Sequence, residues 1–324
     1  MYFPYLRGKL FELIALKELK SFLSLNKTLV SPIIEPVKST KSKNQEFKTL
    51  KNTLVELRNA DINFNFIVNP TIVNDVDSYT LIDALTSALG SYENFQIAFI
   101  VDKGFDISNI KSVLTGISFK YKGVTLIHET EIPEIDKLVN SLSVDFNIIY
   151  NVIYFEKTNR RYYTNFPKNT IVSLDDFFNI QPRNANYLEI GESPFSSEYK
   201  FFKDDNFAGF SDFLTIGDLY TESGFLPYAV AIHISYEENN KIWIKHFVSD
   251  SNDDTSDIAG KFAEALQKLV NWCDNQNCRE TYGLKKFYEL YNTGHFPGLG
   301  SVKKLSIMHH IELVINLLKN EVLR

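Results

Sequence analysis

The carboxylates, amides and imidazoles of this sequence recur at one kind of place, the end of an apolar run. Glu35 closes "SPIIE", Asn69 closes "NFIVN", Asp102 closes "FQIAFIVD", and His128 with Glu129 closes "GVTLIHE". Asn151, Asp175 with Asp176, Asp212 and His233 stand at comparable positions further along. Carboxylates gathered in a low-dielectric mouth separate in pKa, giving one acid and one base, or hold a divalent cation through oxygen ligands. Glu35, Asp102, Asp212 and His233 are therefore the catalytic candidates. A divalent cation is the cofactor such a set can hold, its identity left unknown. The plainer explanation is that Asp, Asn and Glu leave strands because they cap turns and helices. For His233, inside "YAVAIHISY", a satisfied core histidine stands beside the ligand role.

Cations supply the complementary candidates. "YLRGKLFEL" (5–13) sets Arg7 and Lys9 before a helix whose first turn holds Glu12, where a carboxylate suits the helix dipole. Arg183, in "RNANY", can grip a phosphate or carboxylate with parallel hydrogen bonds. In "FPGLGSVKKLS" (296–306), Lys303 and Lys304 fall in the first turn of a helix, an unfavourable place for a cation that a bound anion would relieve. Arg7, Lys9, Arg183, Lys303 and Lys304 are the anion-binding candidates. The spacing is not that of a Walker loop, and no G-x-S-x-G elbow or dinucleotide fingerprint is present. "MHHIE" (308–312) puts His309 and Glu312 on one helical face, which is two ligands and not a metal site.

Positioning these residues requires an alternation of strands and helices. "TLVSPIIEPV" (28–37), "NFNFIVNP" (63–70), "FQIAFIVDKG" (95–104), "GVTLIHET" (123–130) and "FNIIYNVIYF" (146–155) read as strands, with amphipathic helical stretches between them. "NTIVSLDD" (169–176), "GFSDFLTIGD" (209–218) and "YAVAIHISYEE" (228–238) complete eight. Parallel right-handed units of this number predict an α/β fold, a (β/α)8 TIM-barrel-like architecture with additional C-terminal helices. An open doubly wound sheet is the rival. The expected layout is one domain over 1–324, with a barrel over about 25–240, an N-terminal helix over 9–24 and a helical cap over 255–324. "EENN" is turn-like, and a hairpin from 228 to 250 is a further expectation.

Composition narrows the partners. The 44% hydrophobic and 23% charged shares suit a globular chain with a large core. A net charge of −6 argues against nucleic acid. Lys41, Lys43, Lys303 and Lys304 would be its contacts if that reading held. No apolar run reaches about 18 residues, so no membrane span is expected. Charged residues interrupt the segment after the head as no secretory signal allows, and the two cysteines, Cys273 and Cys278, give no disulfide framework. A cytoplasmic location is the expectation.

Four segments carry a resemblance: "YFPYLRGKLFELIAL" (2–16), "SPIIEPV" (31–37), "GFSDF" (209–213) and "PGLGSVKKLSIMHHIEL" (297–313). Over nearly the full chain the sequence resembles a poorly characterised bacterial family related to the phage Beta-protein family. The matching residues are Arg7, Gly8, Lys9, Glu12, Glu35, Asp212 and the segment from Gly298 to Lys304. The resemblance implies a barrel-like α/β fold and an association with phage defence, and it assigns no residue a role. Two functions follow as expectations: an enzyme acting on an anionic or phosphorylated small molecule, and a non-catalytic component that binds a protein partner in a bacterial conflict system.

Overall fold

The five residues "YFPYL" at the head of the chain form a strand, β1 (Tyr2–Leu6), in the computed structural model, which describes residues 1–37, 47–72, 77–220, 226–276, 278 and 280–322. Helices α1 (Leu10–Glu18) and α2 (Lys20–Leu25) follow where one N-terminal helix is expected. The alternation then proceeds through β2 (Ile33–Ile34), α3 (Lys48–Asn59), β3 (Asn65–Ile67), α4 (Ser78–Leu89), β4 (Gln96–Val101), α5 (Ile107–Gly116), β5 (Gly123–His128), α6 (Ile135–Ser143), β6 (Ile148–Tyr154) and β7 (Ile171–Asp175). After a short helix, α7 (Tyr187–Ile190), come β8 (Glu192–Pro194), α8 (Glu198–Phe201) and β9 (Gly209–Asp212). The chain ends with β10 (Ala231–Glu238), β11 (Lys241–Val248), α9 (Ile258–Gln276), α10 (Tyr282–Thr293) and α11 (Leu299–Val322).

Among the described residues, eight parallel strands close a barrel in the order β1-β2-β3-β4-β5-β6-β7-β9. This is the TIM-barrel-like fold expected. Its limits differ from the expected 25–240. β1 pairs with β2 on one side and β9 on the other, so the head of the chain is a barrel stave. A proline inside the run hides it, because Pro4 lacks a ladder donor and reads as a strand breaker. The expected eighth strand is not in the barrel. Residues 231–238 pair antiparallel with β11, which pairs with β8, in a separate three-stranded sheet. Asn239 and Asn240, with φ of 52° and 62°, make the tight turn between β10 and β11, so the hairpin forms as expected.

Contacts divide the chain into two compact units where one domain is expected. The first comprises Met1–Asp175 with Phe201–Asp212, the second Asp176–Lys200 with Phe213–Arg324. In the first, α3 to α6 each bury an apolar stripe, such as Leu50, Leu54 and Leu57 of α3. Each buried leucine contributes about 1.5–3 kcal/mol against exposure. Asp77 caps α4 by accepting the Thr80 N–H, and Asp106 caps α5. In the second unit, α10 and α11 approach closely at Gly283, where a Cβ would stand 2.6 Å from the Leu305 carbonyl oxygen. No helix among the described residues is long and apolar enough to cross a membrane.

Candidate functional site

The ring contact between Phe3 and Tyr150, 4.9 Å between centroids, joins β1 to β6. Those strands are not neighbours, so the contact crosses the lumen and fixes which face of β1 points inward. Side chains alternate along a strand, so Tyr5 and then Arg7 share that inward face at the C-terminal end. Tyr5 pairs with Ile33, which brings Glu35 to the same face two residues later. These three residues form one cluster. The Tyr5 hydroxyl donates to Glu35 Oε2 at 2.9 Å, Arg7 Nη1 donates to the same oxygen, and the guanidinium lies 5.2 Å over the Tyr5 ring. Glu35 is fully buried, and its second oxygen, Oε1, has no hydrogen-bond partner.

Gly8 explains the local sequence. Its φ is +65°, and a Cβ there would lie 2.7 Å from the Glu35 carbonyl oxygen. Only glycine lets the chain turn against β2 and still leave Arg7 over Glu35. Burial pushes the Tyr5 hydroxyl well above its ordinary pKa, the Glu35 and Glu129 charges add to this, and Arg7 opposes it. Glu129 is therefore within electrostatic reach of the same mouth. Tyr5 and this role for Glu129 were not singled out from sequence; the period-2 spacing of Tyr5 and Arg7 is the signal that points to the first.

The other expected residues are placed differently. Asp102 follows β4 at the rim, half-buried, and its Oδ1 accepts the Gly104 N–H at 2.8 Å, which is turn capping. Asp212 pairs in register with Pro4, on the face of Tyr2 and opposite that of Tyr5. There the Tyr2 hydroxyl donates to it at 2.9 Å. Glu35 and Asp212 thus face opposite sides of the barrel wall and do not converge. Asn69 substitutes for a missing stretch of ladder, its amide bonding both N–H and carbonyl of Ile100 at 2.8 Å. His128 is held between Asn151 and Tyr162, and burial lowers its pKa to about 4. Lys9 is half-buried at the start of α1.

The remaining candidates belong to the second unit. His233 is not at a barrel strand end; it sits on β10 opposite His246 of β11, with Nδ1 atoms 2.8 Å apart. Arg183 is exposed, and its backbone N–H donates to Asn186 Oδ1. Lys303 is exposed and lines a cavity with His233, while Lys304 is half-buried beside it. His309 is a structural residue: Nε2 donates to the Ser235 carbonyl at 2.6 Å and Nδ1 accepts from the Thr281 hydroxyl at 2.8 Å. Lys41 and Lys43 lie outside the described residues. Among the described residues, no three His, Cys, Asp or Glu side chains are grouped to hold a metal ion.

No family model, curated protein or solved structure matches the chain.

Proposed function

We propose that the chain is a barrel enzyme whose acid–base group is Glu35, acting on a small molecule that carries a carboxylate or phosphate. The observation that supports this reading is the state of the Glu35 carboxyl group: one oxygen is fixed by Tyr5 and Arg7, and the other is buried without a partner. An unsatisfied buried acceptor costs about 1–3 kcal/mol, and a substrate O–H or N–H would satisfy it. The position also fits, since reactions in parallel barrels take place at the C-terminal ends of the strands. Arg7 orients Glu35 and brings positive charge to the mouth for an anionic ligand. Glu129 is the second carboxylate, and Asp102 shapes the rim.

The test is a thermal-shift screen against sugar phosphates and small carboxylic acids, followed by turnover assays on the ligands that stabilise the protein. A ligand at a hundredfold excess over its Kd adds about 2.7 kcal/mol, a readable shift. Glu35→Gln is expected to keep the fold and lower turnover by roughly 10²–10⁴-fold. Turnover that survives this substitution would remove Glu35 from the chemistry.

A second reading, a non-catalytic component of a phage-defence system that docks a protein, is favoured by Leu219, Leu226 and Tyr228, which are 65%, 64% and 59% exposed. On that reading, Leu226→Glu with Tyr228→Glu abolishes protection of cells against phage and Glu35→Gln does not. The enzyme reading expects Glu35→Gln to lose turnover and the double variant to keep it.

A further inference from the structure

The second unit contains a cavity of about 360 Å³ whose polar lining holds several hydrogen-bond donors beside the amides of Gln181 and Asn184, and whose remaining wall is apolar. Thr215, His233, Lys303 and Ser306 line it, together with Leu299 at the start of α11. No Asp or Glu is among the lining residues. We propose that this cavity is a binding site for a small phosphate ester, distinct from the barrel mouth, with the phosphate held by the first turn of α11, Lys303, Thr215 and His233.

Three observations point to an anion, and a fourth accommodates one. α11 is 24 residues long, and the N–H groups of Leu299 and Gly300 precede its first intrahelical bond, so the positive end of a long helix faces the cavity. Lys303 stands one turn in, and its charge reaches the His233 ring. The lysine charge and the positive end of the helix dipole both attract an anion to this place. Thr215 is 4% exposed, and its hydroxyl has no hydrogen-bond partner. A buried hydroxyl on a cavity wall is a donor held ready for an acceptor.

The fourth observation is a short proton chain. His246 Nε2 lies 3.2 Å from the Ser193 hydroxyl, and His246 Nδ1 lies 2.8 Å from His233 Nδ1. Burial keeps both rings neutral, so each carries one proton. When Ser193 donates to His246 Nε2, the His246 proton is on Nδ1 and is donated to His233 Nδ1. The His233 proton then sits on Nε2, which makes that atom a donor. The opposite arrangement makes Nε2 an acceptor. An anion selects the first state and costs no net proton uptake.

The rest of the wall sets the body of the ligand. Phe178, Ile180 and Leu219 suit an apolar or aromatic group, and the volume is at the small end for ligand pockets. Phenyl phosphate is therefore the probe, with inorganic phosphate and phenol as its two halves. Isothermal titration on the full chain is expected to show phenyl phosphate binding more tightly than phosphate, and phenol not binding. Lys303→Gln and Thr215→Val are each expected to weaken phenyl phosphate by about tenfold, the loss of one charge-assisted hydrogen bond. Circular dichroism and melting checks accompany both variants. Glu35→Gln, on the first unit, is expected to leave this affinity unchanged, which separates the site from the barrel mouth. No binding of phenyl phosphate at about 10 mM, well above weak millimolar affinities, would overturn the proposal. So would binding that both folded variants retain.

Discussion

Replacing Arg7 with methionine keeps an unbranched stem of similar length and removes the guanidinium from Glu35. The two side chains are 6% and 0% exposed, so solvent cannot take over the lost role. Breaking a buried ion pair by removing one member costs about 3–5 kcal/mol, because the remaining charge is left uncompensated. Tyr5 still donates to Glu35, so the lower end, about 3 kcal/mol, is the expectation. For a folded body of 150–250 residues this corresponds to a fall in melting temperature of about 6–12 °C. Arg7→Met combined with Glu35→Leu removes both charges and is expected to lose less than Arg7→Met alone, since apolar replacement of a whole buried pair is often neutral. The assay is urea denaturation of wild type, both single variants and the double variant at pH 7, read as a double-mutant cycle. A coupling energy above about 1.5 kcal/mol is expected for residues in direct contact. Single-variant losses that simply add, or an Arg7→Met loss below about 1 kcal/mol, would refute the view that Arg7 and Glu35 act as a coupled buried pair.

Gly8→Ala places a methyl group 2.7 Å from the Glu35 carbonyl oxygen at a φ of +65°, and a loss of about 1–3 kcal/mol is expected by thermal melting. Gly294→Ala has a similar φ of +62°, in the left-handed helical well with nothing within 4 Å, so it should lose only the left-handed penalty of about 1 kcal/mol. Burial holds His128, His246 and His309 to about 4 and His233 to about 3. The unfolded chain therefore binds their protons near pH 6.5 while the folded chain does not, and stability is lost as pH falls from about 6.5 toward about 4. Each histidine adds a slope of up to about 1.4 kcal/mol per pH unit, and Glu312, pushed up by burial, partly offsets it. Urea midpoints at pH 7, 6 and 5 measure this, and a flat series would contradict it. Asp102→Asn keeps a side-chain acceptor for the Gly104 N–H and should leave the melting point nearly unchanged, whereas Asp102→Ala should cost about 0.5–1.5 kcal/mol.

The barrel was legible where strands are wholly apolar and helices carry a clear stripe, as from Phe64 to Tyr154. It was not legible at β1, because Pro4 masks a strand that survives through its neighbours on both sides. Counting to eight then drew in residues 228–238, whose alternation of apolar and half-exposed positions belongs to an antiparallel hairpin. The Arg7 to Glu35 pairing was half visible: both residues were singled out, but their partnership depends on the register of Tyr5 with Ile33, which spacing does not encode. Asp212 looked equivalent to Glu35 because it also ends an apolar run. A shift of one residue in register sends a side chain to the other face, and that decides their different surroundings. Thr215 carries no sequence signal, since an unpartnered hydroxyl is defined only by what surrounds it.

The first unit takes its last strand from beyond an excursion of the chain into the second, since β9 follows residues 176–200. During synthesis this order leaves a gap in time. From the emergence of β7 until residue 212 is available, the barrel is an open sheet with unpaired edges at β1 and β7, a template for strand addition by other chains. At about 5–20 residues per second the interval lasts roughly 2–7 s, and the closing contact joins strands some 200 residues apart, which makes closure slow. Aggregation of the nascent chain at this stage, more than loss of the finished fold, is what would limit yield, and slower synthesis at lower temperature or a holding chaperone should raise it.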